Sequence, residues 1–431
     1  MENAHSGKME SRHFVSFIIK QQNQGEREMD PLEILTDLEN VVPFFQPIFS
    51  ADEHRIIGYE VLGRYQSING PISLGPFFQD KEIPEEYRLE VDLTVLKKAF
   101  AKAINYDQDL IYFINRDAEL LIHDEEEKLL QLISLFGEQG LSPNQIVLEV
   151  SERNAEGEFE DLDHLLRYYR TYGIKIAIDK MGNESSHLDR ISQLEPDILK
   201  VDLQILKSTA GPTYQNILFS LSMLARKIGA VLLFENIETW FQLQFAWKNG
   251  GRYYQGFYLE KPHEDFIQRD VLKDRLKQEC HEFIMSEKRK LGNLFSLQEE
   301  FDSRVQEMLN RHKKIRNYTE LLKILANELD DMAFRMYVCD EDGFQKSPNL
   351  FKWQNSWMTQ PEYEEKNWSW RPYFLENIIK MQNERKGILS DRYNDIETGE
   401  AIRTFCLPIT SHHFLFIDLS SSYLFDREGL F

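Results

Sequence analysis

The sequence predicts an α/β protein: a (β/α)₈ barrel of the TIM type, followed by connecting helices and a small α+β domain. Three observations point there. Between about Val42 and Pro262, short apolar runs alternate with longer segments of helical periodicity. Polar residues, mostly carboxylate or amide, recur at or just after the ends of those runs, where a barrel gathers its loops into one mouth. Beyond Asp265 the alternation stops and the pattern turns almost wholly helical. On pattern alone, a doubly wound open sheet remains an alternative.

Taken in order, residues 1–28 are polar and unpatterned, and Met29 is an alternative start, so this stretch is expected to lie outside the fold. The expected strands are Phe44–Phe49, Ile56–Leu62, Leu110–Ile114, Ile146–Val150, Ile174–Ile178, Ile198–Val201, Val231–Phe234 and Tyr253–Tyr258. Between them, Leu89–Ile104, Glu125–Glu138, Asp161–Tyr172, Thr213–Ile228 and Glu238–Lys248 space their apolar residues as helices do. The barrel is therefore assigned to 29–263 and the connecting helices to 264–331, with Gly292-Asn293 as a break between two of them. Leu272, Leu276, Phe283, Phe301, Val305 and Met308 recur at mixed intervals, which suits helices packed on neighbouring domains better than a dimeric coiled coil. Residues 332–431 hold four of the six Trp and the β-like runs Phe334–Cys339, Phe405–Ile409 and Phe414–Leu419.

Composition narrows the function. Of 431 residues, 42% are hydrophobic, which argues against disorder. A formal charge of -22 disfavours general nucleic-acid binding, which rests on neutralising phosphates, but it allows a small anionic ligand held through a metal. Cys280, Cys339 and Cys406 match no metal or redox spacing, and so sparse and odd a set suits a reducing compartment, most simply the cytoplasm. No apolar run reaches the roughly 18–20 residues of a membrane span. Phe14–Ile19 is shorter than a signal-peptide core of about 7–15 residues.

Read in order, the strand ends carry Glu60, Asn115, Glu149, Asp179, Lys200 with Asp202, Glu235 and Gln255. Glu60, Asn115, Glu149 and Asp179 are oxygen donors of the kind hard cations prefer. Crowded carboxylates repel and raise one another's pKa, which a divalent cation would relieve. A solvated acidic rim is the other reading of the same residues.

These residues also carry a family resemblance. Gly58-Tyr59-Glu60-Val61-Leu62-Gly63-Arg64 resembles the Glu-Ala-Leu signature of EAL domains, cyclic di-GMP phosphodiesterases and their degenerate relatives. Phe45-Gln46-Pro47-Ile48, Leu148-Glu149-Val150-Ser151-Glu152, Ile198-Leu199-Lys200-Val201-Asp202, Phe234-Glu235-Asn236-Ile237-Glu238-Thr239 and Tyr254-Gln255-Gly256-Phe257 resemble further family motifs, in the family's order. The resemblance implies cyclic di-GMP as ligand and Mg²⁺ or Mn²⁺ as cofactor, with Ca²⁺ as a non-productive occupant. It implies that Glu60, Asn115, Glu149 and Asp179 hold the first metal, that Lys200 orients or activates water, and that Glu235 supports the metal–water network. Arg64 would meet a ligand phosphate; Gln46, Leu62, Asp92 and Gln255 would contact ligand or shape its pocket; Glu152 would support the loop after Gly182. Family resemblance alone also implies a homodimer.

One departure stands out. Active members carry two adjacent aspartates followed by Phe-Gly, whereas this chain reads Asp179-Lys180-Met181-Gly182. Two-metal hydrolysis uses paired cations, and an ammonium cannot replace a carboxylate ligand. The expectation is metal-dependent binding of cyclic di-GMP with weak or absent hydrolysis; an active phosphodiesterase giving linear pGpG, or a scaffold without ligand, are the alternatives. Trp370-Arg371-Pro372-Tyr373-Phe374, followed by Ser390-Asp391-Arg392-Tyr393, resembles the small-ligand pocket of PAS/Cache sensors, the ligand being unknown. The whole architecture is similar to the YkuI-type EAL proteins.

Overall fold

The computed structural model describes residues 31–428 apart from 108, 123, 125–126, 151–158, 182–187, 205–211 and 372–373, and apart from the side chains of 180–181, 188–190, 212–216 and 425–428. The expected extension 1–28 thus lies outside the described residues. The chain divides into two units, Met1–Glu279 and Cys280–Phe431.

In the first unit each of the eight apolar runs contributes to a strand: β1 (Val41–Ser50), β2 (Ile56–Ser67), β4 (Ile111–Arg116), β5 (Ile146–Val150), β6 (Lys175–Met181), β7 (Ile198–Asp202), β8 (Val231–Glu235) and β9 (Gly251–Tyr254), with a short β3 (Gly70–Ser73) beside β2. The run expected at Tyr253–Tyr258 leaves the sheet after Tyr254 and turns. They pair in the order β1-β9-β8-β7-β6-β5-β4-β2, and β2 returns to β1, which closes the barrel and removes the open-sheet alternative. The strictly repeating (β/α)₈ pattern needs one correction. β1 runs antiparallel to both β2 and β9, so the barrel is mixed. The reason is length: residues 51–55 are enough for a turn and too few for the crossover that two parallel strands require.

Helices Glu85–Ala103, Lys128–Gly137, Phe159–Thr171, Pro212–Ile228 and Trp240–Lys248 match the periodic segments, and Leu188–Leu194 adds one that the pattern did not reveal. Outward strand residues such as Tyr112, Ile114, Leu148, Ile178 and Leu199 pack on this helical layer. Inward residues Ile48, Phe113, Val147, Ala177, Ile198 and Leu233 form a separate plug inside the barrel. The two-residue period of a strand then decides where the chemistry sits. One inward step beyond Phe113, Val147, Ala177, Ile198 and Leu233 come Asn115, Glu149, Asp179, Lys200 and Glu235, at the carboxyl ends of five consecutive strands.

The expected helix break at Gly292 is absent, because Lys273–Arg311 is one continuous helix of 39 residues. A single helical glycine costs only about 1 kcal/mol relative to alanine. The flanking turns, with Phe283 buried before it and Leu297 and Phe301 after it, keep the backbone helical.

In the second unit, β10 (Ala333–Asp340), β11 (Asn349–Trp353), β12 (Ser356–Gln360), β13 (Ile388–Leu389), β14 (Tyr393–Asn394), β15 (Ala401–Pro408) and β16 (His413–Leu419) make an antiparallel sheet of order β12-β11-β10-β16-β15-β13, with β14 on β15. One face, with Met336, Val338, Leu407, Leu415 and Ile417, packs on Leu297, Phe301, Val305 and Met308 of the long helix and on helix Tyr318–Glu328. The opposite face, with Tyr337, Cys339, Cys406, Phe414 and Phe416, is covered by helix Phe374–Glu384. No helix among the described residues is long and apolar enough to cross a membrane.

Candidate active site

Six strand-borne side chains and Gln255, just past β9, meet at the carboxyl ends of the barrel strands. The Lys200 ammonium is their centre, 1% exposed. It donates to Glu149 Oε2 at 2.8 Å and Glu60 Oε2 at 3.4 Å, and lies 3.3 Å from Glu235 and 4.0 Å from Asp179. Asn115 Nδ2 donates to Glu60 Oε1 at 2.6 Å, and Gln255 Nε2 donates to Glu60 Oε2 at 2.6 Å. Glu149, Gln255 and Glu60 are buried, Asp179 and Glu235 half-buried, and Asn115 is exposed at the opening.

The electrostatics follow from one ammonium serving four carboxylates. Burial raises the Glu60 carboxyl, but Lys200 and the hydrogen bonds from Gln255 and Asn115 outweigh it and hold the group below its ordinary pKa. Glu149 goes the other way: burial and the Glu60 charge push it well above the carboxylate range. Burial, followed by Asp179, Glu60 and Asp202 against the opposing Lys200, pushes Glu235 up to about 7. Burial would lower the Lys200 pKa, yet the surrounding carboxylates raise it well above its ordinary value, so the ammonium stays charged.

Among the described residues no three acidic or histidine side chains already form a closed metal cage. Here the carboxylates converge on the Lys200 ammonium instead. The donor set nonetheless fits a hard divalent cation: four oxygen-bearing side chains, an excess of negative charge, and one buried carboxylate oxygen, Glu149 Oε1, with no hydrogen-bond partner among the described residues.

The family model described as the EAL domain matches residues 32–262, and that of an EAL-domain associated signalling protein domain matches 266–431. The chain belongs to the EAL-domain family. It is 53% identical over 405 residues to the EAL-domain containing protein YkuI of Bacillus subtilis (strain 168), covering 93% of this chain and 100% of that protein. The crystal structure of YkuI in complex with substrate cyclic di-GMP and calcium superposes with a TM-score of 0.90 at 52% identity, covering 94% of this chain and 100% of that one. The probable cyclic di-GMP phosphodiesterase PdeG of Escherichia coli (strain K12) is 31% identical over 244 residues, which are 54% of this chain and 47% of PdeG.

Around the EAL cluster, the remaining expected residues separate. Gln46 lies directly across from Glu60 in the β1–β2 pairing, and Leu62 across from Phe44. Arg64 follows on the same hairpin, half-buried, with Nη1 donating to Gly63 O at 2.8 Å and its guanidinium 5.8 Å from the Phe44 ring. Burial lowers its pKa and the Glu60 charge opposes that. Asp92, on helix Glu85–Ala103, is drawn into an ion pair with Arg116. Glu152, the loop after Gly182 and the Lys180 side chain lie outside what is described.

Two residues escaped the sequence reading. Asn236 adopts a left-handed backbone (φ 57°) and donates from Nδ2 to Asp202 Oδ1 at 2.9 Å, which props the β7 and β8 ends together. Arg116 is the last residue of β4 and is buried. A charged residue in step with the outward, apolar side of a strand was the available signal for Arg116. Gly256 fixes Gln255: a Cβ there would collide with the Ile237 backbone, whose N–H donates to Gln255 O at 3.1 Å.

Proposed function

We propose that this EAL barrel binds cyclic di-GMP through Mg²⁺ or Mn²⁺ and opens one phosphodiester to give the linear dinucleotide pGpG. The observation that carries the reading is the buried Lys200 among four carboxylates, with Glu149 Oε1 unpartnered. The substrate complex of the YkuI structure and the phosphodiesterase name of PdeG support the hydrolytic form of it.

Glu60, Asn115, Glu149 and Asp179 would hold the cation, with Ca²⁺ as a non-productive occupant. Bound there, a divalent cation polarises a phosphate and makes water more acidic. The remaining work falls to the chain. Lys200, kept charged by its neighbours, orients the attacking water and offsets the charge building on the phosphate. Glu235, titrating at about 7, is suited to take the proton that this water loses and pass it toward the departing 3′ oxygen. Arg64 meets a ligand phosphate, while Gln46, Leu62 and Gln255 shape the dinucleotide pocket; Asp92, engaged by Arg116, supports the strand end behind it.

The second reading, a receptor that binds without turnover, rests on Lys180 at the place of the family's second aspartate. Calorimetry of cyclic di-GMP with and without Mg²⁺, followed by chromatography for pGpG, separates the cases. Metal-dependent binding with product supports the phosphodiesterase; binding without product, and product on Lys180→Asp, supports the receptor; no binding at all leaves only a scaffold. The rest of the reading is a homodimer in the cytoplasm, a compartment suited to three free thiols. The antiparallel sheet under helix Phe374–Glu384 suits a PAS/Cache-like sensor whose small ligand lodges near Arg371, Ser390 and Tyr393.

A further inference from the structure

We infer that Arg116 is a positioning residue for the cation site: it pins the end of β4 so that Asn115 stays turned toward Glu60. The inference rests on the metal-binding reading above. Strand alternation puts the two neighbours on opposite sides. Phe113 and Asn115 point into the barrel, whereas Ile114 and Arg116 point into the layer between strands and helices. In that layer Arg116 Nη1 closes on Asp92 of helix Glu85–Ala103, the two side chains being 5% and 18% exposed. The strand end is thereby tied to a helix of 19 residues at the level of the mouth.

Asn115 needs such a tie. It is exposed, and among the described residues its side chain is held by one hydrogen bond, to Glu60 Oε1 at 2.6 Å. With the backbone fixed, presenting Oδ1 instead of Nδ2 to a cation takes only a half-turn of the amide. With the strand end loose, the amide would have to be placed and turned at once.

The guanidinium is also poorly accommodated for a purely structural group. Among the described residues, Nε and Nη2 of Arg116 are buried without a hydrogen-bond partner. Unpaired buried donors weaken a fold, and an apolar side chain of similar length would fill the same volume without that penalty. Such a side chain could not hold Asp92. A local rule broken in this way marks a place where the site has been favoured over stability.

The test titrates the full chain, R116M and R116K with Mn²⁺ alone by calorimetry and records a thermal melt of each. R116M is expected to lose about tenfold in Mn²⁺ affinity, the size seen when a ligand's support is removed, and to melt lower because Asp92 is left half-buried without its partner. The double variant R116M/D92L, measured in the same way, removes both charges and is expected to lose the same affinity with a melting midpoint unchanged or raised. R116K, which reaches Asp92 with one donor in place of a fork, is expected to recover part of the affinity. Equal affinity in R116M and the unmodified chain overturns the inference, and so does an affinity loss in R116M/D92L that comes with a lowered melting midpoint. If R116M does not fold, R116K decides: partial loss supports the inference and full affinity overturns it. Failure of the unmodified chain to bind Mn²⁺ overturns the metal reading, and this inference with it.

Discussion

Two buried cations, one in each unit, are each ringed by carboxylates, and the rings differ. Arg335 in the C-terminal sheet, 4% exposed, contacts Asp418 and Asp395 at 2.6 Å each and Glu397 at 2.8 Å. Every one of those carboxylates is held again from outside: Thr404 donates to Asp418 at 2.6 Å, Thr398 Oγ1 to Asp395 at 3.0 Å and Tyr363 to Glu397 at 2.7 Å. Lys200 has one acidic neighbour more, four in all, but Glu149 Oε1 has no partner among the described residues, and both Glu149 and Glu235 are pushed upward. A planar fork can serve three carboxylates at once, whereas an ammonium offers three donors from one point. The number of buried charges does not separate structure from function here; the degree to which they are satisfied does.

Breaking the two rings should therefore have opposite consequences. Arg335→Met leaves Asp395 and Asp418 buried and unpaired, and should cost about 3–5 kcal/mol, measured by denaturant unfolding of the full chain. A cost under about 1 kcal/mol would remove the distinction. Lys200→Met should cost less stability, because Glu149 and Glu235 are already inclined to take protons, but should lower pGpG formation by about 10²-fold or more. Glu149→Gln replaces a carboxyl whose pKa burial and the Glu60 charge push up. Stability should change by less than about 1 kcal/mol, while Mn²⁺ affinity falls in calorimetry.

The smallest effect is in the pH dependence, and its sign differs between the units. For Asp395, burial raises the pKa but Arg335 and Thr398 lower it further, so the folded value lies below the unfolded one. Its contribution is complete above the unfolded pKa of about 3.9 and is lost as pH falls through the lower folded value. For Glu235 the folded value, about 7, lies above the unfolded one, so its neutral form favours the fold and stability declines as pH rises toward 7. Calorimetric melts at stepped pH should show the barrel gaining slightly from pH 7.5 to 5.5 and the C-terminal unit weakening only in stronger acid. A barrel midpoint that falls over the same upper interval would contradict this assignment of charge.

Much of this was legible because the signals are local. Apolar runs bounded by polar strand ends located eight strands, and two-residue alternation placed Asn115, Glu149, Asp179, Lys200 and Glu235 one step past the apolar plug. Strand direction was not legible: Val41–Ser50 has the same pattern read either way, and only the short link before Ile56 reveals the reversal. Helix Leu188–Leu194 is too short to show a period. The Arg335 network was hidden because Arg335 and Asp418 are single charges inside apolar strands, and their partner Asp395 arrives through folding. Arg116 was hidden likewise, since its partner sits on a helix 24 residues earlier.

The reversed first strand has a practical consequence. Val41 pairs with Tyr65 while Gln46 pairs with Glu60, so the chain enters β1 from the rim of the opening and runs downward. Lys98 clamps that entry by donating to the carbonyls of Leu38, Glu39 and Val41 at 3.1, 2.7 and 2.7 Å. A fluorophore or fusion partner joined ahead of Pro31 would therefore be delivered beside the doorway through which a dinucleotide arrives, and would sense or obstruct its passage.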